Sequence, residues 1–394
     1  MRILTFSTLF PNVAQNHHGI FTETTLRHQL ATAEIQATVV APVPWFPSKS
    51  RMFGRYSAYA GIPHLEQRLG VDVHHPRYFI PPKIGMNIAP FSLAKAALPV
   101  MKKIAATDGF DLIDAHYFYP DGVAATLLGI YFKKPVIVSA LGTDINLIPQ
   151  YPLARSMIRW AGARSSAMIT VCDALKREMI DLGMDGRKIH SLRNGVDLKI
   201  FYPVDKSSAR LTLGLHNFTI LSVGHLDPRK GHDRTISALR YLPGIDLIIV
   251  GGGVEKTQLQ KLAISEGVHD RVKFVEPIRQ AELRLYYCAC DALVLASSRE
   301  GWANVLLEAM ACGTPVVASN VWGTPEVVQS PAAGVLLAEN SPIGIADGVQ
   351  RLRHHYPART ATREYAESFS WDTTTAGQLS LFRHAIQHHR DSTN

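Results

Sequence analysis

ALVLASSREGWANVLLEAMACGTPVVASN, residues 292–320, is the stretch whose reading decides the fold. An apolar run closes at Ser298, a short polar loop carries Glu300 and Gly301, an amphipathic pattern opens near Asn304, and Gly-Thr-Pro leads into a second apolar run. The order is strand, loop, helix, strand. Both runs are almost wholly apolar rather than alternating, as strands are when a parallel sheet is covered on both faces, and a helix between them is the crossover such pairing needs.

The same alternation extends in both directions. FTILSVG (218–224), DLIIVGG (246–252), VKFVEP (272–277), TPVVASN (314–320) and GVLLA (334–338) complete one series, each followed by a helical pattern. An earlier series is expected at residues 2–8, 36–42, 71–75, 111–116, 135–141, 166–172 and 188–193. Two series of this kind predict an α/β protein of two doubly wound, Rossmann-like domains in tandem. Periodicity lapses in RNGVDLKIFYPVDKSSAR (193–210), where Asn-Gly, Pro203 and a polar run mark a linker near residue 200. The expected domains are therefore 1–200 and 201–370. Helical stretches follow at 343–355, 359–369 and 373–389, more than one face of a sheet requires. Residues 371–394 are the candidate for a helix that crosses back to the N-terminal domain. Open α/β sheets bind ligands outside the carboxyl ends of their strands, so two facing sheets are expected to form one deep cleft where the chemistry lies.

Composition agrees with a soluble globular protein. Of 394 residues 46% are hydrophobic and 19% charged, with 23 Pro and 28 Gly scattered along the chain, unlike a disordered polymer. No run reaches the ~18 apolar residues of a membrane span, and MRILTFSTLF carries no secretory cleavage pattern, so a protein that neither spans a membrane nor is secreted is expected. Cys172, Cys288, Cys290 and Cys312 sit in apolar segments without CxxC spacing, which reads as buried thiols in a reducing cytoplasm. With 41 Lys and Arg against 33 Asp and Glu the net charge is +8, a field that attracts phosphates, nucleic acid or an anionic membrane. No nucleic-acid recognition motif accompanies it, and the 17 histidines are dispersed.

Glu300 lies on a loop at a strand's carboxyl end, and Glu308 stands one helical turn beyond Asn304, so both can face one site. Amides of Gly301, Trp302, Ala303, Asn304 and Val305 at the helix start would suit an anion. A phosphate flanked by two carboxylates fits a nucleotide sugar, although spacing alone favours two unrelated surface acids. Upstream, SVGHLDPRKGHD repeats strand, Gly-containing turn and helix with His225, Arg229 and Lys230 at the turn. The two loops read as two walls of one diphosphate pocket.

With these residues in view the chain resembles the family four glycosyltransferases of the retaining, GT-B class. Glu300 and Glu308 match the family's E-x7-E motif within EGWANVLLEAMACGTPVVAS, and Lys230 in PRKG matches its diphosphate-binding lysine. Similar segments include GIFTETTLRHQL near Gly19, DAHYFYPDG around His116, NGVD at 194–197, IVGGG at 249–253 and GTPEVV at 323–328. The YPDG and EGWANV forms resemble bacterial cell-surface polysaccharide enzymes of the teichuronic acid type. The resemblance implies that Glu300 holds hydroxyls of the donor sugar, Glu308 the ribose and Lys230 the diphosphate. It further implies that Gly19 lets a first loop approach the phosphates, that His116 faces the reacting sugar, and that Tyr117 and Asp144 lie on the acceptor side. Two departures stand out. His225 replaces the family's usual Arg with a titratable charge, which Arg229 could offset, and Leu141 in SALGTD stands where relatives often carry His or Arg.

Stabilising a departing diphosphate takes either a metal held by D-x-D or fixed cations and amides. The sequence contains no D-x-D, so metal-independent, hexosyltransferase-like transfer without a cofactor is expected. The donor is a nucleotide sugar, UDP favoured, and the acceptor a glycan or a lipid-linked glycan. LIIVGGGVEKTQ lacks the third glycine of a dinucleotide fingerprint, with Lys256 in its place, which disfavours a dehydrogenase. A GT-B epimerase, a phosphorylase and an inactive nucleotide-sugar sensor are the nearer alternatives. Finally, WFPSKSRMFGRYSAYAG (45–61) interleaves aromatics with Lys49, Arg51 and Arg55. It suits peripheral contact with an anionic lipid surface at the inner face of the plasma membrane, or equally a loop packed on its own domain.

Overall fold

The computed structural model describes residues 1–393 except His17, Lys49, Arg51, Phe53, Gly54, Pro82, Lys83 and Ile84, and it describes no side chain for Arg55, Tyr56 or Thr393. The chain divides into two compact units, one comprising Met1–Leu192 with the C-terminal stretch from Asp372, the other Arg193–Trp371.

The first unit contains β1 (Arg2–Phe6), β2 (Gln36–Val40), β3 (Val43–Pro44), β4 (Leu65–Arg68), β5 (Val71–His74), β6 (Arg77–Tyr78), β7 (Leu112–His116), β8 (Val136–Ala140), β9 (Ala167–Thr170) and β10 (Ile189–Ser191). Eight of them form one sheet in the order β10-β9-β8-β7-β1-β2-β5-β4, with β3 and β6 paired separately. Every pairing in the large sheet is parallel except β4 with β5. Strands β7, β8 and β9 are buried at every position; β8 and β9 read accordingly as nearly apolar runs, while β7 buries Asp114 and His116 as well. The strand order reverses between β1 and β7, the switch point at which such sheets open to ligands.

The second unit contains β11 (Phe218–Val223), β12 (Ile245–Val250), β13 (Val272–Val275), β14 (Ala292–Leu295), β15 (Val316–Ser319) and β16 (Gly334–Leu337). Their order, β13-β12-β11-β14-β15-β16, is the doubly wound dinucleotide-fold arrangement, and all pairs are parallel. Here the reversal falls between β11 and β14. The two doubly wound α/β units expected from the sequence are thus present, each expected strand lying within three residues of an observed one.

The linker expected near residue 200 lies earlier. Residues 193–203 already pack on the second unit: Val196 N–H donates to Phe369 O at 3.1 Å, the Trp302 indole N–H donates to Asn194 O at 3.1 Å, and Phe201 meets the Tyr287 ring edge-on. The Asn-Gly and Pro203 signals mark turns within that packed segment. Gly195 is there because a Cβ would come 2.4 Å from the Trp371 nitrogen. The last helix, Trp371–Thr393, buries Leu379, Phe382, Ala385 and Ile386 among Ile3, Phe10, Leu26 and Val39 of the first unit, and Gln378 accepts from Gln29 at 3.0 Å. All four cysteines are buried and unbridged. Among the described residues no helix is long and apolar enough to cross a membrane.

Candidate functional site

In the second unit β11 runs out at Val223 into Gly224, against which the methylene stem of Lys230 packs; a Cβ there would lie 3.5 Å from Lys230 Cδ and Cε. The intervening turn is closed by Asp227, whose carboxylate accepts from Arg229 N at 3.0 Å. Gly231, at φ +71°, brings this turn against the loop leaving β14, since a Cβ would stand 2.1 Å from Ala296 O. Ser298 N donates to Arg229 O at 2.8 Å and fixes the two loops together. The turn at 229–231 and the loop at 296–298 are thus held side by side in this unit.

Glu300 is buried, 7% exposed, at that junction. Lys230 Nζ lies 2.6 Å from Oε1, Ser297 Oγ donates to the same oxygen at 2.6 Å, and Arg229 lies 3.9 Å from Oε2. Asn340 Nδ2 donates to Ala296 O and Ser297 O, which sets the backbone that presents the acid. The helix Asn304–Ala311 follows; its cap, Ala303, makes no side-chain cap bond, while Asn304 N and Leu306 N donate to Trp302 O and Ala303 O at 3.1 and 3.0 Å. On that helix Glu308 accepts from Tyr287 Oη at 2.8 Å, and burial pushes its carboxyl up to about 7. His225 is exposed and donates through Nδ1 to Gly252 O at 3.1 Å. Behind it His232 bridges Ser222 Oγ and His225 O, burial holding it down to about 4 and hence neutral.

At the first unit's switch point, His116 closes β7 with Nε2 3.0 Å from Asp114 Oδ2. Ser7 Oγ donates to His116 O at 3.1 Å, linking the loop after β1 to this strand end. Asp121 accepts from Thr8 N and Oγ1 at 3.2 and 2.8 Å, and burial raises its carboxyl to about 8. Asp144 accepts from the amides of Phe118, Leu141 and Gly142 and is raised to about 6, again by burial. Gly19, at φ +69°, sits where a Cβ would strike Leu9 O at 2.1 Å, so the loop folds back on itself there.

Residues 23–200 match the family described as Glycosyltransferase Family 4, and residues 204–369 match Glycosyl transferases group 1. Both units are glycosyltransferase-family domains. The D-inositol 3-phosphate glycosyltransferase of Mycobacteroides abscessus is 37% identical over 215 residues, 52% of this chain and 48% of that protein. Its counterpart in Mycobacterium bovis is 33% identical over 300 residues, 70% of this chain and 62% of the relative. The chain thus spans between about half and three fifths of the length of these relatives. Their names support the family resemblance and not the narrower teichuronic-acid type. Sucrose-phosphate synthase from Thermosynechococcus elongatus shares the fold at TM-score 0.82 and 21% identity, over 98% of this chain and 99% of that one. Anabaena HepE, solved with UDP, does so at TM-score 0.73 and 20% identity, over 96% and 100%.

Within these glycosyltransferase domains Lys230, Arg229, Glu300 and Gly301 are brought together in one unit, with Asn304, Val305 and Glu308 on the adjoining helix. Trp302 is different: it is buried and its N–H is used by Asn194 O, so it anchors the loop. Asn304 Oδ1 accepts from Asn194 at 3.4 Å, and Ala303 is buried. Asp144 is fully buried with both oxygens accepting amides, so it braces the turns after β7 and β8. Tyr117, at φ +80°, is half-buried on that turn. Of residues 45–61, Lys49, Arg51 and Phe53 and the side chains of Arg55 and Tyr56 lie outside the described residues; Trp45 and Met52 are exposed. Sequence reasoning missed Tyr287, Ser297, His232, Asp114 and Asp121. Only Asp114 had a visible signal: two residues before His116 on a strand, it shares that residue's face.

Proposed function

We propose that this chain is a retaining glycosyltransferase that moves a sugar from a nucleotide-sugar donor, UDP-sugar favoured, to a glycan or lipid-linked acceptor in bacterial surface polysaccharide synthesis. The observation that carries this reading is the Lys230–Glu300 pair at the β11/β14 switch point, 2.6 Å apart, beside Arg229 and a helix start without a side-chain cap. In this reading Lys230, Arg229 and His225 neutralise the diphosphate, Glu300 accepts from donor-sugar hydroxyls and Glu308 from the ribose. Amides at 301–305 and these fixed cations stabilise the leaving diphosphate, in the role a metal would otherwise take, and the sequence's lack of D-x-D supports this. His116 contacts the reacting sugar, and Tyr117 and Asp144 shape the acceptor side of the first unit.

The acceptor is membrane-proximal in this reading, and the enzyme works in the cytoplasm at the inner leaflet. Exposed Trp45, Met52, Phe79, Ile88 and Phe91 support it, as does the net charge of +8. The relatives' name suggests a second acceptor class, a phosphorylated inositol.

Thermal shift against UDP-, GDP- and ADP-sugars tests the donor, because a ligand at 100 times its Kd stabilises by ~2.7 kcal/mol. The expected result is a shift with UDP-sugars, and transfer from the shifting donor that survives EDTA. No shift with any nucleotide sugar overturns the reading, and activity lost to EDTA and restored by magnesium or manganese overturns its metal-independent part.

A further inference from the structure

His116 and Asp114 lie two residues apart on β7, so their side chains share one face of the sheet. Both are buried, at 3% and 1% exposure. His116 Nε2 is 3.0 Å from Asp114 Oδ2, while Asp114 Oδ1 has no hydrogen-bond partner. The imidazole is therefore the one group that satisfies this carboxylate among the described residues. Thr5, in register with Asp114, and Ser139, in register with His116, also carry buried hydroxyls without partners, so neither competes for the acid.

A carboxylate only accepts, so the hydrogen must sit on His116 Nε2. That leaves Nδ1 as the ring nitrogen with no hydrogen bond among the described residues, at the carboxyl end of β7 beside the strand-order reversal. We propose that Asp114 is a positioning residue that locks His116 in the Nε2–H tautomer, so that Nδ1 presents a lone pair to a hydroxyl of the sugar bound at this switch point. The inference deepens the glycosyl-transfer reading and rests on it. Without Asp114 the ring can turn over or move its hydrogen to Nδ1, where it would face a sugar hydroxyl with a donor instead of an acceptor.

Two measurements test it on the full chain. Long-range 15N–1H correlation of histidine-labelled wild type, with His116 assigned by comparison with His116→Asn, should show the neutral ring with Nε2 protonated and Nδ1 bare. This needs no activity, so it stands even if no nucleotide sugar proves to be a donor. A wild-type Nδ1–H tautomer overturns the proposal outright. In Asp114→Asn, whose amide can donate to Nε2, the tautomer should invert and kcat should fall about tenfold or more while the donor KM changes little. Asp114→Glu, which keeps an acceptor, should retain the wild-type tautomer. A folded Asp114→Asn protein with wild-type kcat, or with the original tautomer, refutes the lock; a loss confined to thermal stability does so too.

Discussion

Glu300, at the β11/β14 switch point, lies 2.6 Å from Lys230 Nζ and 3.9 Å from Arg229. At the β1/β7 switch point Asp121 and Asp144 accept from backbone amides and one hydroxyl, and neither has a Lys or Arg ion pair among the described residues. Both units present the carboxyl ends of parallel strands in the same way, yet one corner pairs its acid with Lys and Arg, while at the other Asp121 and Asp144 rest on dipoles and Asp114 meets an imidazole. In the proposed reading the charged corner takes a diphosphate, which calls for cations whose partner can be exchanged, and Glu300 is the carboxylate that Lys230 would leave. The other corner would take uncharged hydroxyls, for which buried acids that collect amides supply rigid loops. The difference teaches that the shared topology selects where a ligand sits, while the partners of the buried acids select its charge.

Breaking the ion pair is the strongest challenge to this contrast. Lys230→Ala should reduce donor binding and transfer at least a hundredfold. It should also destabilise the second unit by ~3 kcal/mol, because the Glu300 charge is left buried with only the Ser297 hydroxyl and the more distant Arg229. Lys230→Met combined with Glu300→Gln should restore most of the stability and none of the activity. Chemical denaturation and donor titration of both variants check this. If the double variant also recovers donor affinity, the pair serves the fold alone and the second unit is no more a charge site than the first.

The dipolar corner is sharpened by Asp121→Asn. Burial raises the Asp121 carboxyl from 3.8 to about 8, so the folded protein keeps a proton that the unfolded chain releases above pH ~4. The folded state binds more protons across that window, so this group costs stability progressively as pH rises from about 4 to about 8, at up to ~1.4 kcal/mol per unit. Asparagine imitates the protonated acid toward Thr8 and has nothing to ionise. The variant should melt higher than wild type at pH 8, with the gap closing toward pH 4. A variant no more stable than wild type at pH 8 would show that the acid ionises without penalty.

Legibility in the sequence followed burial and chemistry. Core strands such as VIVSA at 136–140 are buried throughout and announce themselves as apolar runs. Strand β4, LEQR, alternates exposed and half-exposed positions and carries three polar residues, so it gives no such signal. The helix Gly85–Thr107 contains Pro90 and Pro99, which break the pattern by which a helix is recognised. At the site, Glu300, Glu308 and Lys230 were visible because motif spacing fixes them. The Tyr287–Glu308 hydrogen bond joins two helices, and the bracing by Asp144 depends on how two turns fold, so neither has a spacing to read. Trp302 looked like part of the ligand wall from its place in the motif, but only the packed structure shows its indole N–H turned to Asn194.

The smallest expected effect concerns donor affinity at the charged corner and its pH dependence. His225 already donates Nδ1–H to the Gly252 carbonyl, so its Nε2 bears hydrogen only when the ring is charged. A diphosphate only accepts, so an arginine at this position, with fixed donors, should meet it better, and His225→Arg should bind the donor several-fold more tightly than wild type. The pH dependence rests on Glu308. Its carboxyl, pushed up to about 7, becomes neutral below that pH and would accept less well from ribose hydroxyls, so affinity should weaken as pH falls. Titrating a UDP-sugar calorimetrically from pH 5.5 to 8.5 should show this acid limb in wild type and in His225→Arg and a flat profile in Glu308→Gln. The dipolar corner has no part in this, so Asp121→Asn should reproduce the wild-type profile. Equal affinities in wild type and His225→Arg would make His225 a spacer and leave Arg229 and Lys230 to hold the phosphates.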